Sequence, residues 1–139
     1  MYPEAVTIED IFSFLKTYAC SNLHADTDLV ADCGITGDDW DELIFDFSEK
    51  FSVDLSGYIW YFHAEDEAAF NNPGGWFFKP PYKRVHRIPV TPNLLLHVAN
   101  TKTWDVRYPP HKLPRYRWDV VITTVICFTL LFFSIRSCF

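Results

Sequence analysis

The chain predicts an all-α protein: a small helical bundle with an irregular insertion, followed by a C-terminal transmembrane helix. Three observations carry that prediction. Apolar residues recur at helical spacing in three stretches, each opened by a residue able to cap a helix. Apolar residues make up 49% of the chain and aromatics 18%, which excludes a disordered composition. Finally, the uncharged run 120–135 is more apolar than a chain of 139 residues can readily hide.

The first helix should begin after Thr7, whose hydroxyl can cap, with Asp10 completing a capping box. Ile8, Ile11, Phe12, Leu15, Tyr18 and Ala19 would share its buried face. Residues 21–35 read as a loop rich in Asp, Ser, Thr and Gly. A second helix follows Thr36, with Thr36 as its cap and Asp39 as the capping-box partner. Trp40, Leu43, Ile44, Phe47 and Phe51 form its apolar stripe. Tyr58, Ile59, Tyr61 and Phe62 fit either a short aromatic helix or an extended packing segment. Residues 71–90 form the irregular insertion, with its NNPGG and KPP turns. A last helix opens at Thr91-Pro92, and Leu94, Leu95, Val98 and Ala99 give it an apolar face that ends near Trp104.

These elements divide the chain into a helical domain over 1–105, a basic Pro-rich linker over 106–117, and a membrane helix over 118–139. Sixteen residues of helix span about 24 Å, and Trp118 with the last residues brings the segment near bilayer thickness. Lys112, Arg115 and Arg117 precede the run and only Arg136 follows it. The positive-inside rule then places the N-terminal domain in the cytosol, at the inner membrane, behind a single span. The stretch MYPEAVTIED has neither the basic nor the apolar region of a secretory signal. Four cysteines without metal-ligand spacing therefore read as free thiols.

Charge is unevenly distributed. Residues 1–70 hold sixteen acidic and two basic side chains, a net −14, whereas residues 71–139 are +8. An acidic leading half argues against nucleic acid, whose phosphates it would repel. The basic residues Lys79, Lys83, Arg84, Arg87 and Arg107 would lie near anionic headgroups or pair with the acidic half. On the second helix Asp38, Asp39, Asp41, Glu42, Asp46 and Glu49 cover the solvent side. Acids in the first turn favour the helix dipole, but those further along have no such reason. This surface suits a protein partner with a basic groove.

No catalytic constellation is legible. Cys33 with His24 or His63 as base lacks an evident oxyanion site. His63-Ala64-Glu65-Asp66-Glu67 is an acidic turn rather than a compact metal-ligand set. Gly74-Gly75 lacks the following Lys-Ser/Thr of a phosphate loop. The protein is thus read as a non-enzyme without cofactor or metal.

The run DCGITGDDWDEL, from Asp32 to Leu43, resembles acyl and peptidyl carrier proteins. Those are small acidic four-helix bundles whose second helix begins at a serine carrying phosphopantetheine. Gly34 matches their motif glycine, Glu42-Leu43 their Glu-Leu pair and Phe51 the closing phenylalanine, but the serine position falls on Gly37. The pattern is closer still to an uncharacterised bacterial family of acyl-carrier-like proteins. Gly34–Asp39, Glu42-Leu43, Phe51–Ser56, Tyr61-Phe62 and the Pro-Val-Thr-Pro helix all fit its signature. The resemblance covers about residues 5–105 and implies a carrier-like bundle that docks partners through the acidic second helix. Glycine offers no hydroxyl for a phosphodiester, so phosphopantetheine is not expected; Thr36 is the nearest hydroxyl. The reading is a membrane-anchored interaction or regulatory module. The alternatives are a carrier with a non-standard attachment residue, or a small membrane protein whose tail assembles with other helices.

Overall fold

Thr7 opens α1 (Ile8–Leu15) with the reciprocal bonds of a capping box. Its Oγ1 accepts from the Asp10 amide at 3.3 Å, and its own amide donates to the Asp10 carboxylate at 2.9 Å. These features belong to a computed structural model of the chain, which describes residues 5–18, 20, 22–65 and 73–137. Ile11, Phe14 and Leu15 are buried. Ile8 and Phe12, expected on the same face, are half-buried instead. The helix then tightens into a 3₁₀ turn over Lys16–Tyr18. Ala19 lies outside the described residues.

The stripe predicted for the second helix, α2 (Gly37–Phe51), is buried at all five positions: Trp40, Leu43, Ile44, Phe47 and Phe51. Its cap differs from expectation. Thr36 holds the cap position with extended backbone, yet its side chain makes no capping bond. Gly37 follows at φ 58°, in the left-handed region. That turn takes the chain out of the geometry that aims a cap hydroxyl at the first-turn amides. The other end closes at Ser52 in the left-handed conformation, whose amide donates to the Ser48 carbonyl.

Thr91 caps α3 (Pro92–Thr101), accepting from the Leu94 amide at 3.3 Å, and Pro92 fills the first helical position. Leu95, Val98 and Ala99 face the core. A single parallel bridge between Asp54 and Thr103 ties the segment after α3 to that after α2. The Asp54 amide donates to the Lys102 carbonyl, and the Trp104 amide to that of Asp54. One core joins α1, α2 and α3 with Leu29, Ile35, Val53, Val90 and Trp104. No strand forms among the described residues.

The connecting segments hold more structure than their composition suggests. Cys20 and Cys33 are joined as a disulfide, with Cα atoms 5.3 Å apart, in place of the expected free thiols. The loop they close is pinned by Leu29, whose amide donates to the Val90 carbonyl at 3.0 Å. Arg87 forks onto both oxygens of Asp28, so this cation of the basic stretch pairs inside the domain. Partial burial is the largest single influence on Asp28 and would raise its pKa; the Arg87 hydrogen bonds and charge, together with the Ala31 and Val30 amides, outweigh it and hold the carboxyl below its ordinary value. Short 3₁₀ turns occupy Trp60–Phe62, Pro73–Trp76 and Pro81–Lys83.

The C-terminal apolar run forms α4 (Trp118–Ser137), 20 residues with a mean hydropathy of 2.1 over its apolar window. It spans about 30 Å, long and apolar enough to cross a membrane. Only 6% of that window is buried, so it is not a core helix of the domain. The base of α4 is nevertheless fixed. The Gly74 amide donates to Thr123 Oγ1 at 3.1 Å. A Cβ at Gly74 would run into the Asp119 carbonyl oxygen, so the close approach requires glycine. Asp119 is buried beside Arg117, at 2.7 Å.

Candidate functional site

The apolar stripe on α2 decides which way that helix faces. With Trp40, Leu43, Ile44, Phe47 and Phe51 inward, the remaining positions must look out. Asp38, Asp39, Asp41, Glu42, Asp46 and Glu49, the six proposed partner-binding residues, are all exposed. Asp38, Asp41, Glu42 and Glu49 lie three, four or seven residues from Phe45 and therefore line the same face.

Phe45 is the residue that the charge pattern hid. It is 62% exposed at the centre of the acidic face. A helical wheel drawn on Trp40 and Phe47 would have found it, because its position falls opposite the apolar stripe. An aromatic side chain ringed by carboxylates can give a partner an apolar anchor inside a charged rim. At one side of the face Tyr18 donates its hydroxyl to Asp46 at 2.8 Å. Burial and the Asp46 carboxylate together push the Tyr18 phenol upward, so it stays a donor. Lys50, the basic residue of the last turn, lies 5.4 Å from the Phe14 ring centroid and 5.6 Å from that of Phe51.

The head of α2 opens onto a cleft of about 420 Å³ lined by Gly37, Asp38, Trp40, Asp41, Tyr58, Trp60, Ala64 and Glu65. Trp40 donates its indole N–H to the Tyr58 hydroxyl at 2.7 Å, which fixes the cleft's aromatic wall. Burial raises the Tyr58 pKa, and the Asp41 charge adds to it, so that hydroxyl is neutral at any physiological pH. Aromatic faces with a carboxylate rim suit a cationic side chain better than an anion. Gly37 sits in this wall without a hydroxyl. The Thr36 hydroxyl is not committed to helix capping.

Two residues weighed as catalytic are otherwise engaged. Cys33 is in the disulfide. His63 is fully buried, with Nδ1 against the Ile88 carbonyl at 3.0 Å and Nε2 against the Tyr108 hydroxyl at 2.8 Å. A carbonyl can only accept, so Nδ1 carries the proton and Nε2 accepts from Tyr108. Burial lowers its pKa to about 4. It stacks on Tyr58, with ring planes 7° apart, and so buttresses the cleft from behind. No group of residues suited to a metal occurs among the described residues. Asp66 and Glu67 of the acidic turn lie outside them.

Tyr108, in the stretch read as linker, is the second residue the sequence hid. Its hydroxyl accepts from the Trp104 indole at 2.9 Å and from the Ile59 amide at 3.2 Å while donating to His63. His111 extends the same attachment through the Tyr61 hydroxyl at 2.6 Å. No pattern flags a structural tyrosine among prolines.

A family model described as protein of unknown function (DUF1493) matches residues 7–104. The match runs from the Thr7 cap to Trp104 and leaves out Tyr108 and α4. No curated protein and no solved structure matches the chain.

Proposed function

The chain belongs to the DUF1493 family, and from that premise we propose that its helical domain is a non-catalytic, acyl-carrier-like interaction module, held at a membrane by α4. It docks a protein partner with a basic surface through α2. The observation that carries this reading is Phe45, exposed in the middle of the carboxylates at 38, 41, 42 and 49. Burying an exposed phenylalanine supplies affinity, and the surrounding charge supplies orientation and a salt-sensitive on-rate. A lysine or arginine of the partner fits the aromatic-acidic cleft at Gly37. Support for the carrier-like description comes from the three amphipathic helices around one core and from α2 starting at the motif position. The basic flank before α4 supports a cytosolic domain at the inner membrane.

A photo-crosslinking residue at Phe45 tests docking in native membranes, with the same residue at exposed Glu9 as control. A partner captured from position 45 alone is expected. Reversing Asp38, Asp41, Glu42 and Asp46 should abolish capture, and unchanged capture by that variant would sink the proposal.

The carrier alternative rests on one observation: the Thr36 hydroxyl makes no capping bond. Intact-mass measurement after treatment with a phosphopantetheinyl transferase tests it. A mass gain that Thr36→Val removes would establish the carrier and displace the docking module.

A further inference from the structure

The irregular insertion and the segment before α4 enclose a second cleft, of about 370 Å³, whose chemistry is opposite to that of the first. Its walls include the cations Lys79, Arg84, Arg115 and Arg117 and the rings of Phe78 and Trp118. Arg117 is paired with Asp119, whereas Lys79, Arg84 and Arg115 are exposed and in no ion pair among the described residues. The position of the cleft matters as much as its charge. Trp118 and Asp119 form the first turn of α4, so the cleft opens where an apolar helix leaves the domain.

Beside it lies an unusual surface. Trp76 is 86% exposed and Phe77 72% exposed, and both follow directly on Gly74. Gly74 is hydrogen-bonded to Thr123, five residues into α4 and so about 7 Å along its axis. The turn is closed by the Phe77 and Phe78 amides, which both donate to the Gly74 carbonyl. Two exposed aromatic rings are therefore placed by this turn beside the first turns of α4, where a membrane helix would carry its aromatic belt. Tyr116 and Trp118 complete the belt, with Trp118 and Phe78 ring centroids 6.5 Å apart.

We propose that this cleft is a binding site for the phosphate headgroup of an anionic phospholipid, with Trp76 and Phe77 inserted into the same leaflet to set its depth. The site rests on the reading of α4 as a membrane helix. Lys79, Arg84 and Arg115 meet the phosphate, and the acyl chains run past Phe78 and Trp118 along α4. Continuity with the apolar helix commits the site to a lipid, because a soluble phosphate would gain nothing from the aromatic rings.

The test uses the full-length protein in phosphatidylcholine vesicles. A small fraction of either brominated phosphatidylglycerol or brominated phosphatidylcholine is included, and tryptophan quenching is read. Stronger quenching by the anionic lipid is expected. Each charge near an anionic surface changes partition by about fivefold. Replacing Lys79, Arg84 and Arg115 together by glutamine should therefore erase the preference, with α4 still resistant to carbonate extraction. Trp76→Ser with Phe77→Ser should reduce quenching by both lipids. Equal quenching by the two lipids, or a preference that survives the triple variant, overturns the site alone. A preference abolished by soluble glycerophosphate overturns its assignment to lipid. Extraction of the wild-type protein by carbonate overturns the membrane reading and the site with it.

Discussion

The Tyr108 hydroxyl donates to His63 Nε2 at 2.8 Å, a bond that ties the stretch before α4 to the centre of the domain. The phenol also accepts from Trp104 and Ile59, so its hydrogen-bonding capacity is filled. Tyr108→Phe leaves the buried His63 and Trp104 ring nitrogens and the half-buried Ile59 amide without this partner, and each fully buried group so orphaned costs about 1–3 kcal/mol. The expected outcome is a clear fall in the urea midpoint with an unchanged slope. A midpoint equal to wild type would mean that the network is dispensable.

Acid should weaken the domain in a window set by His63. Its folded pKa of about 4 lies below the ordinary value of 6.5. The unfolded chain therefore binds the proton first as pH falls. Stability is constant above pH 6.5, declines between 6.5 and 4, and gains no further loss from this group below 4. The full difference is about 3 kcal/mol. Asp28, held below its ordinary 3.8 by Arg87, contributes its own loss only at lower pH. Chemical denaturation at a series of pH values checks the window, and His63→Gln should flatten it.

Phe45→Ser separates binding from folding. The ring is mostly in water, so stability should change by no more than about 0.5 kcal/mol. Partner capture should fall several-fold, and added salt should weaken what remains. A large drop in melting temperature would show that Phe45 packs rather than docks.

A serine at Gly37 would supply a hydroxyl at the head of α2, but on an unfavourable backbone. At φ 58° a side chain costs roughly 1–2 kcal/mol. Gly37→Ser should be measurably less stable than wild type, and equal stability would mean that the chain relaxes there easily.

The disulfide gives a reading of topology. Cys20 and Cys33 are 13 residues apart, and closing a loop of that size stabilises a fold by roughly 3 kcal/mol. Bonds of this kind persist in oxidising compartments. The proposed cytosolic placement of the domain predicts that thiol trapping in intact cells finds the pair reduced. Reductant should lower the stability of the isolated oxidised protein. Finding the pair oxidised in cells would place the domain on the other side of the membrane.

Much of the fold was legible because it is periodic. The stripe from Trp40 to Phe51, the caps at Thr7 and Thr91 and the apolar run of α4 are local patterns, and local physics decides them. What escaped depends on distance. Tyr108 reaches 45 residues back to His63, and Gly74 49 residues forward to Thr123. Neither partner leaves a trace in the neighbouring sequence. The missing cap at Thr36 is a third kind of failure. The hydroxyl and Asp39 are both there, but Gly37 adopts a backbone angle that only the folded chain reveals. Phe45 was readable in principle and was obscured by the charge around it.

Gly74 gives the base of α4 a property that a flexible tether would not have. Its backbone rests on Asp119 and Thr123, so the turn at Gly74 and the base of α4 are held together. On the proposed reading of α4 as a membrane helix, a tilt of that helix is carried into the turn at Gly74 as a tiller moves with its rudder post.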